Sequence, residues 1–186
     1  MTKRLYACVY GGASDHIADK YKSQVEELGR MLADNGYSLV YGAGGEGCMG
    51  AIARGVKEKN GYVLGVSPHF IGKFEEMFPC DKTLTVDTMS ERKDLMEKYG
   101  DIFLIVPGGI GTMDEFFQVL TLKYLEQISD PIVVLNLDGF YDPLLKLIDD
   151  IVAFGAAKAS IRDLFDVVTA VDDEKLIALL QEIKRN

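Results

Sequence analysis

The strongest constraint on this chain is an alternation. Short β-branched and apolar runs, each closed by a glycine turn, take turns with amphipathic stretches of helical period. Leu5–Tyr10, Tyr37–Tyr41, Tyr62–Val66, Thr83–Val86, Ile102–Val106, Pro131–Asn136 and Asp166–Ala170 read as strands. Between them, Tyr21, Val25, Leu28 and Leu32 recur at helical spacing, as do Met49, Ile52, Ala53 and Val56. Asn35-Gly36 and Asn60-Gly61 stop those two helices. Runs that are apolar without alternation belong to strands covered on both faces. The expectation is therefore a single α/β domain spanning residues 1–186, a Rossmann-like, doubly wound parallel sheet with helices on both faces. In such sheets ligands bind beyond the carboxyl ends of the strands, where the glycine turns fall.

One turn stands out. Ile102–Val106 runs into Pro107-Gly108-Gly109-Ile110-Gly111-Thr112-Met113-Asp114-Glu115. Three glycines let another molecule approach the backbone, and a helix N-terminus behind them offers free N–H groups and the positive end of its dipole. That combination is a phosphate cradle with a carboxylate at its lip. Thr112 is the expected N-cap, with Asp114 and Glu115 in the first turn. Thr112-x-x-Glu115 also fits a capping box, which in sequence is indistinguishable from a catalytic acid.

Charge and cysteine content narrow the function. A net charge of -9 over 186 residues leaves no basic footprint for nucleic acid or an anionic membrane, so any phosphate must be held by local groups. Cys8, Cys48 and Cys80 form no Cys-x-x-Cys pair, as expected of reduced cytoplasmic thiols rather than disulfides or a zinc site. No signal peptide or span of membrane length is read. His16 and His69 are isolated, so no metal set is expected.

Gly42, Gly44 and Gly47 match the dinucleotide fingerprint, but Val66-Ser67-Pro68 stands where a ribose-binding acid belongs. A nicotinamide cofactor is not expected. Gly44 and Gly45 are instead expected to wall the substrate crevice. Thr88-Met89-Ser90-Glu91 opens another helix as a capping box, and Arg92 and Lys93 follow, two cations opposing the dipole. Arginine in that position points to an anionic ligand or a carboxylate partner. Ser14 or Asp15 is expected to cap the first helix, and Ser67–Asp81 to be a loop with one short helix covering a pocket. Met113, Phe116, Phe117, Leu120 and Tyr124 make an apolar stripe, widened by Val119, Leu122 and Leu125; so wide a face suggests a partner subunit.

The paired motifs Glu91-Arg92-Lys93 and Pro107–Glu115 resemble those of the LONELY GUY family, cytokinin riboside 5'-monophosphate phosphoribohydrolases formerly labelled possible lysine decarboxylases. Tyr41–Gly44 and Asn136–Leu144 fit as well. The resemblance implies hydrolysis of the N-glycosidic bond of a nucleoside 5'-monophosphate, to free base and ribose 5-phosphate, without a cofactor. By motif it makes Arg92 and Glu115 the catalytic pair, and assigns substrate contacts to Lys93, Gly108, Gly109, Ile110, Gly111, Thr112 and Thr121. Arg92 would hold Glu115 ionised, contact phosphate or ease departure of the base. The resemblance further implies a homodimer with the site near the subunit interface. Two stretches depart from the family pattern: Tyr10–Asp15, and Phe70–Cys80, where Glu75 or Glu76 would fill the place of a substrate-contacting acid. Two other functions stay open on this fold, a non-catalytic nucleotide or cofactor carrier and a pyridoxal-phosphate decarboxylase. The second needs a Schiff-base lysine with supporting groups, and no such set is read.

Overall fold

The computed structural model describes residues 4–74 and 76–185. Each apolar run becomes a strand: β1 Tyr6–Tyr10, β2 Ser38–Tyr41, β3 Val63–Pro68, β4 Lys82–Val86, β5 Ile102–Ile105, β6 Ile132–Leu135 and β7 Asp166–Val168. They form one parallel sheet in the order β4-β3-β2-β1-β5-β6-β7. The helices are α1 Asp19–Asp34, α2 Gly47–Glu58, α3 Met89–Tyr99, α4 Ile110–Tyr124, α5 Asp142–Ala153 and α6 Glu174–Arg185.

Side-chain alternation along the strands divides the core in two. Ala7 and Val9 of β1, with Ile102 and Leu104 of β5, pack against Val25, Leu28 and Leu32 of α1, Ile52 and Val56 of α2, and Leu176 and Leu180 of α6. Cys8 and Tyr10, with Phe103 and Ile105, face the other way onto Met96 of α3, Phe116 and Leu120 of α4, and Ile148 of α5. Burying such a side chain stabilises by about 1.5–3 kcal/mol, so the central strands are held from both faces. This is the doubly wound arrangement expected from the alternation.

The strand order reverses between β1 and β5, which are hydrogen-bonded neighbours with Tyr10 opposite Ile105. Chain leaving β1 therefore turns one way and chain leaving β5 the other, opening a crevice at their carboxyl ends.

Some local details differ from expectation. α1 begins at Asp19 behind Ala18, without a side-chain cap; the Ser14 hydroxyl instead accepts from the His16 N–H. Residues 11–18 are thereby free to pass over the start of α2, where the Met49 N–H donates to the Gly12 carbonyl. Between β3 and β4 the expected short helix is a 3-10 turn, Ile71–Lys73, and Ile71 borders a cavity, while β3 itself runs on through Ser67 and Pro68. The outer face of α4 leaves Tyr124 and the following Leu125 exposed, while Phe116, Val119 and Leu120 are buried. No helix among the described residues is long and apolar enough to cross a membrane.

Candidate active site

The Pro107–Gly109 turn delivers the chain from β5 into α4 earlier than its threonine suggested. Gly109 is the N-cap, so Ile110, Gly111 and Thr112 occupy the first helical turn and Glu115 the second. The expected Thr112 cap and the Thr112–Glu115 capping box are therefore not formed. Thr112 is 2% exposed, and its hydroxyl has no hydrogen-bond partner among the described residues. A buried hydroxyl left so is costly, and here it stands at a helix N-terminus whose first N–H groups have no carbonyl within the helix.

Glycines around that N-terminus divide by what surrounds them. A Cβ on Gly108 would stand 2.1 Å from the Thr112 hydroxyl and 2.7 Å from the Gly12 nitrogen, so close packing of the two turns requires its absence. At Gly109 and Gly111 a Cβ would meet nothing within 4 Å. Both border a cavity of about 410 Å³, together with Gly12, Ser14, Thr112, Arg92 and Glu115. Ile110 is 88% exposed and does not border the cavity.

Arg92 comes from α3. Thr88 caps that helix in a capping box with Glu91, whose carboxylate also accepts from the Asp87 N–H. Glu91 is thus consumed locally, and the next residue turns inward. Arg92 and Glu115 meet with Nη2 3.5 Å from Oε1, each side chain only 8% exposed. Arg92 Nε is buried without a hydrogen-bond partner among the described residues, and Met89 Sδ lies 3.9 Å from Nη1. A buried charge is tolerable only when paired, and this pair sits where a ligand held at the α4 N-terminus would meet it.

The other expected contacts are placed elsewhere. Lys93 Nζ pairs with the Asp114 carboxylate at 2.9 and 3.0 Å, tying α3 to α4 beside the cavity rather than within it. Thr121, six residues along α4 and therefore about 9 Å further up the helix, donates to the Phe117 carbonyl at 2.7 Å. It borders a separate groove between α3 and α4, shared with Glu97 and Gln118. Gly44 and Gly45 do not line the crevice. Gly44 bridges to Met77 and the Gly45 N–H donates to the Glu76 carbonyl at 2.7 Å, so this loop is occupied in holding the segment before β4. Glu75 lies outside the described residues; Glu76 is exposed and does not border the cavity.

Sequence reasoning missed the apolar wall: Ile17, Met49, Ile71, Met89 and Phe140 complete the cavity. Phe140 belongs to a loop pinned by Tyr141, whose hydroxyl donates to the Val106 carbonyl at 2.6 Å and whose N–H donates to Asn136 Oδ1. Ile71 sits in the Phe70–Cys80 stretch that departs from the family pattern and in the segment expected to cover a pocket, whereas Ile17 lies two residues beyond Tyr10–Asp15, where no local signal distinguishes it from an ordinary loop residue. With an anion-binding helix end, a buried ion pair and an apolar wall, the cavity can take a ligand having an anionic end, a polar middle and a flat apolar end.

A family model described as "Possible lysine decarboxylase" matches residues 49–178. A cytokinin riboside 5'-monophosphate phosphoribohydrolase of Oryza sativa subsp. japonica is 35% identical over 94% of this chain and 72% of its own. One from Arabidopsis thaliana is also 35% identical, over 94% of this chain and 82% of its own. Among solved structures, the molybdenum cofactor binding protein of Rippkaea orientalis superposes with a TM-score of 0.74 at 17% identity, covering 99% of both chains. The molybdenum cofactor carrier protein of Chlamydomonas reinhardtii gives 0.73 at 20%, covering 99% of this chain and 100% of its own. At those identities the structural likeness is one of fold. The sequence matches extend to descent: this chain belongs to the LONELY GUY family of cytokinin riboside 5'-monophosphate phosphoribohydrolases.

Proposed function

We propose that the protein hydrolyses the N-glycosidic bond of a nucleoside 5'-monophosphate, releasing free base and ribose 5-phosphate. The observation that carries this reading is the buried Arg92–Glu115 pair, which shares one cavity with the α4 N-terminus and the unpartnered Thr112 hydroxyl. The 5'-phosphate sits on the N–H groups of the first α4 turn and takes the Thr112 hydroxyl as a further donor. Ribose then lies toward Glu115, and the base against Ile71 and Met89. Cleavage of the C1'–N bond leaves positive charge on the ribose. The Glu115 carboxylate stabilises that charge and orients the attacking water, as carboxylates do in glycoside cleavage. Water supplies hydroxide to C1' and a proton to the departing base, so the step needs no external reductant or oxidant. Arg92 keeps the carboxylate paired while the cavity is empty and can turn to the substrate once it is filled.

A pyridoxal-phosphate decarboxylase does not fit these residues. Among the described residues no lysine borders the cavity, and Lys93, the nearest in sequence to the catalytic pair, is bound to Asp114. We further infer a homodimer through the outer face of α4, supported by exposed Tyr124 and Leu125; a monomer in sedimentation equilibrium would refute it. The functional test is base release from a panel of nucleoside 5'-monophosphates, N6-substituted adenosine monophosphates among them, beside the matching nucleosides. The expected result is release from monophosphates alone. Tight binding with no release would make the protein a carrier.

A further inference from the structure

Gly42 leaves β2 as the first glycine of the dinucleotide-type fingerprint. Its surroundings assign it another task. Its backbone is not in the left-handed region, so no turn demands glycine there. What the site refuses is a Cβ, which would stand 1.8 Å from Arg92 Nη2, 2.7 Å from Arg92 Cζ and 2.7 Å from Met49 Cε. The contrast with Gly109 and Gly111, where a Cβ would point into open space, separates the two uses of glycine in this crevice. Around Gly109 and Gly111 there is room for a ligand; at Gly42 the space is already filled by the guanidinium.

Resting on the reading of the site given above, we propose that Gly42 is a positioning residue: its bare backbone seats the Arg92 guanidinium in register with Glu115. Nη2 is the nitrogen that both overlies Gly42 and makes the 3.5 Å contact with Glu115 Oε1. With alanine at 42, Nη2 must retreat by about 1.6 Å to reach an ordinary contact of 3.4 Å. Both neighbours in the way are ends of flexible side chains rather than backbone, so the fold absorbs the change and the arginine gives way. Arg92 is 7% exposed, so it has little solvent to move into, and a shift of that size at Nη2 changes the 3.5 Å contact the same nitrogen makes with Glu115.

The test is a double-mutant cycle over Gly42→Ala and Arg92→Ala, read as kcat, KM, affinity for adenosine 5'-monophosphate and Tm. Displacing a catalytic group by more than 1 Å costs on the order of 100-fold, so Gly42→Ala should lose about that in turnover, with a cooperative unfolding transition retained and Tm lowered by no more than in Arg92→Ala, which leaves Glu115 without its cation altogether. In the Arg92→Ala background the same substitution should cost nothing further, because groups acting through one another are not additive. Turnover within about twofold of the parent, or a loss undiminished in the Arg92→Ala background, overturns the proposal. If the parent protein releases no base, the hydrolase reading fails separately, and the seat is read from affinity alone. Weaker nucleotide binding by Gly42→Ala only when Arg92 is present then supports it, and equal weakening or none in either background overturns it.

Discussion

Replacing Gly111 by alanine separates the stability of the fold from the use of its cavity. Gly111 lies in the first turn of α4, its φ is not left-handed, and an added Cβ meets nothing within 4 Å. Alanine in a helix is favoured over glycine by roughly 0.5–1 kcal/mol. For a chain of this length that corresponds to a Tm rise of about 1–4 °C. The Cα–Cβ bond, however, tilts toward the helix N-terminus, into the space where a phosphate would approach the N–H groups. A methyl group there holds the anion off and removes one or two charge-assisted hydrogen bonds, each worth about 1.5–3 kcal/mol. KM for a nucleoside monophosphate should therefore rise by at least about tenfold while Tm holds or climbs. Steady-state base release and thermal unfolding on one preparation decide the matter. An unchanged KM beside a raised Tm would refute the phosphate placement, because the methyl group would then occupy space no ligand uses.

Thr112→Val removes the unpartnered hydroxyl and keeps the shape. Tm should hold or rise, by an amount matching about 1 kcal/mol, while nucleotide affinity in calorimetry falls by about tenfold; unchanged affinity would show that the hydroxyl meets no ligand. Glu97 supplies a pH signature, since burial pushes its carboxyl up from 4.5 to about 7 against the opposing hydrogen bond from Gln118. The native state holds this proton to higher pH than the unfolded chain does, so its contribution to stability is whole below pH 4.5 and is lost as pH rises through 7. Glu97→Gln should then gain in Tm over the parent at about pH 8 and not at about pH 4, and a pH-independent difference would contradict the assignment.

The sequence made the architecture legible because periodicity carries it: each apolar run became a strand, displaced by a residue or two at its ends. Arg92 and Glu115 were readable as candidates by motif, and the structure brings them together. Less legible was everything decided by contacts between distant segments. Thr112 looked like a cap because threonine favours that place, yet the Gly109 turn starts α4 three residues earlier and leaves the hydroxyl to the cavity. Ser14 looked like a cap for the same reason, but residues 11–18 are held by the start of α2. Gly42, Gly44 and Gly47 match one fingerprint in the sequence, from which Gly44 and Gly45 are expected to wall the crevice. In the fold Gly42 lies under Arg92, while Gly44 and Gly45 hold residues 76–77. Local spacing cannot distinguish a glycine that makes room for a ligand from one that makes room for the protein's own side chain.

The central claim is that the Arg92–Glu115 cavity breaks a glycosidic bond rather than merely holding a nucleotide. Its most direct test is ribose 5-phosphate formation from an N6-substituted adenosine 5'-monophosphate, by the parent protein and by Glu115→Gln, with calorimetric binding measured on both. The parent should form base and sugar phosphate in equal amounts. The variant should bind the nucleotide within about threefold of the parent, which certifies its fold, and turn over at least about 1,000-fold more slowly. Binding without product by the parent, or undiminished turnover by the variant, would contradict the account.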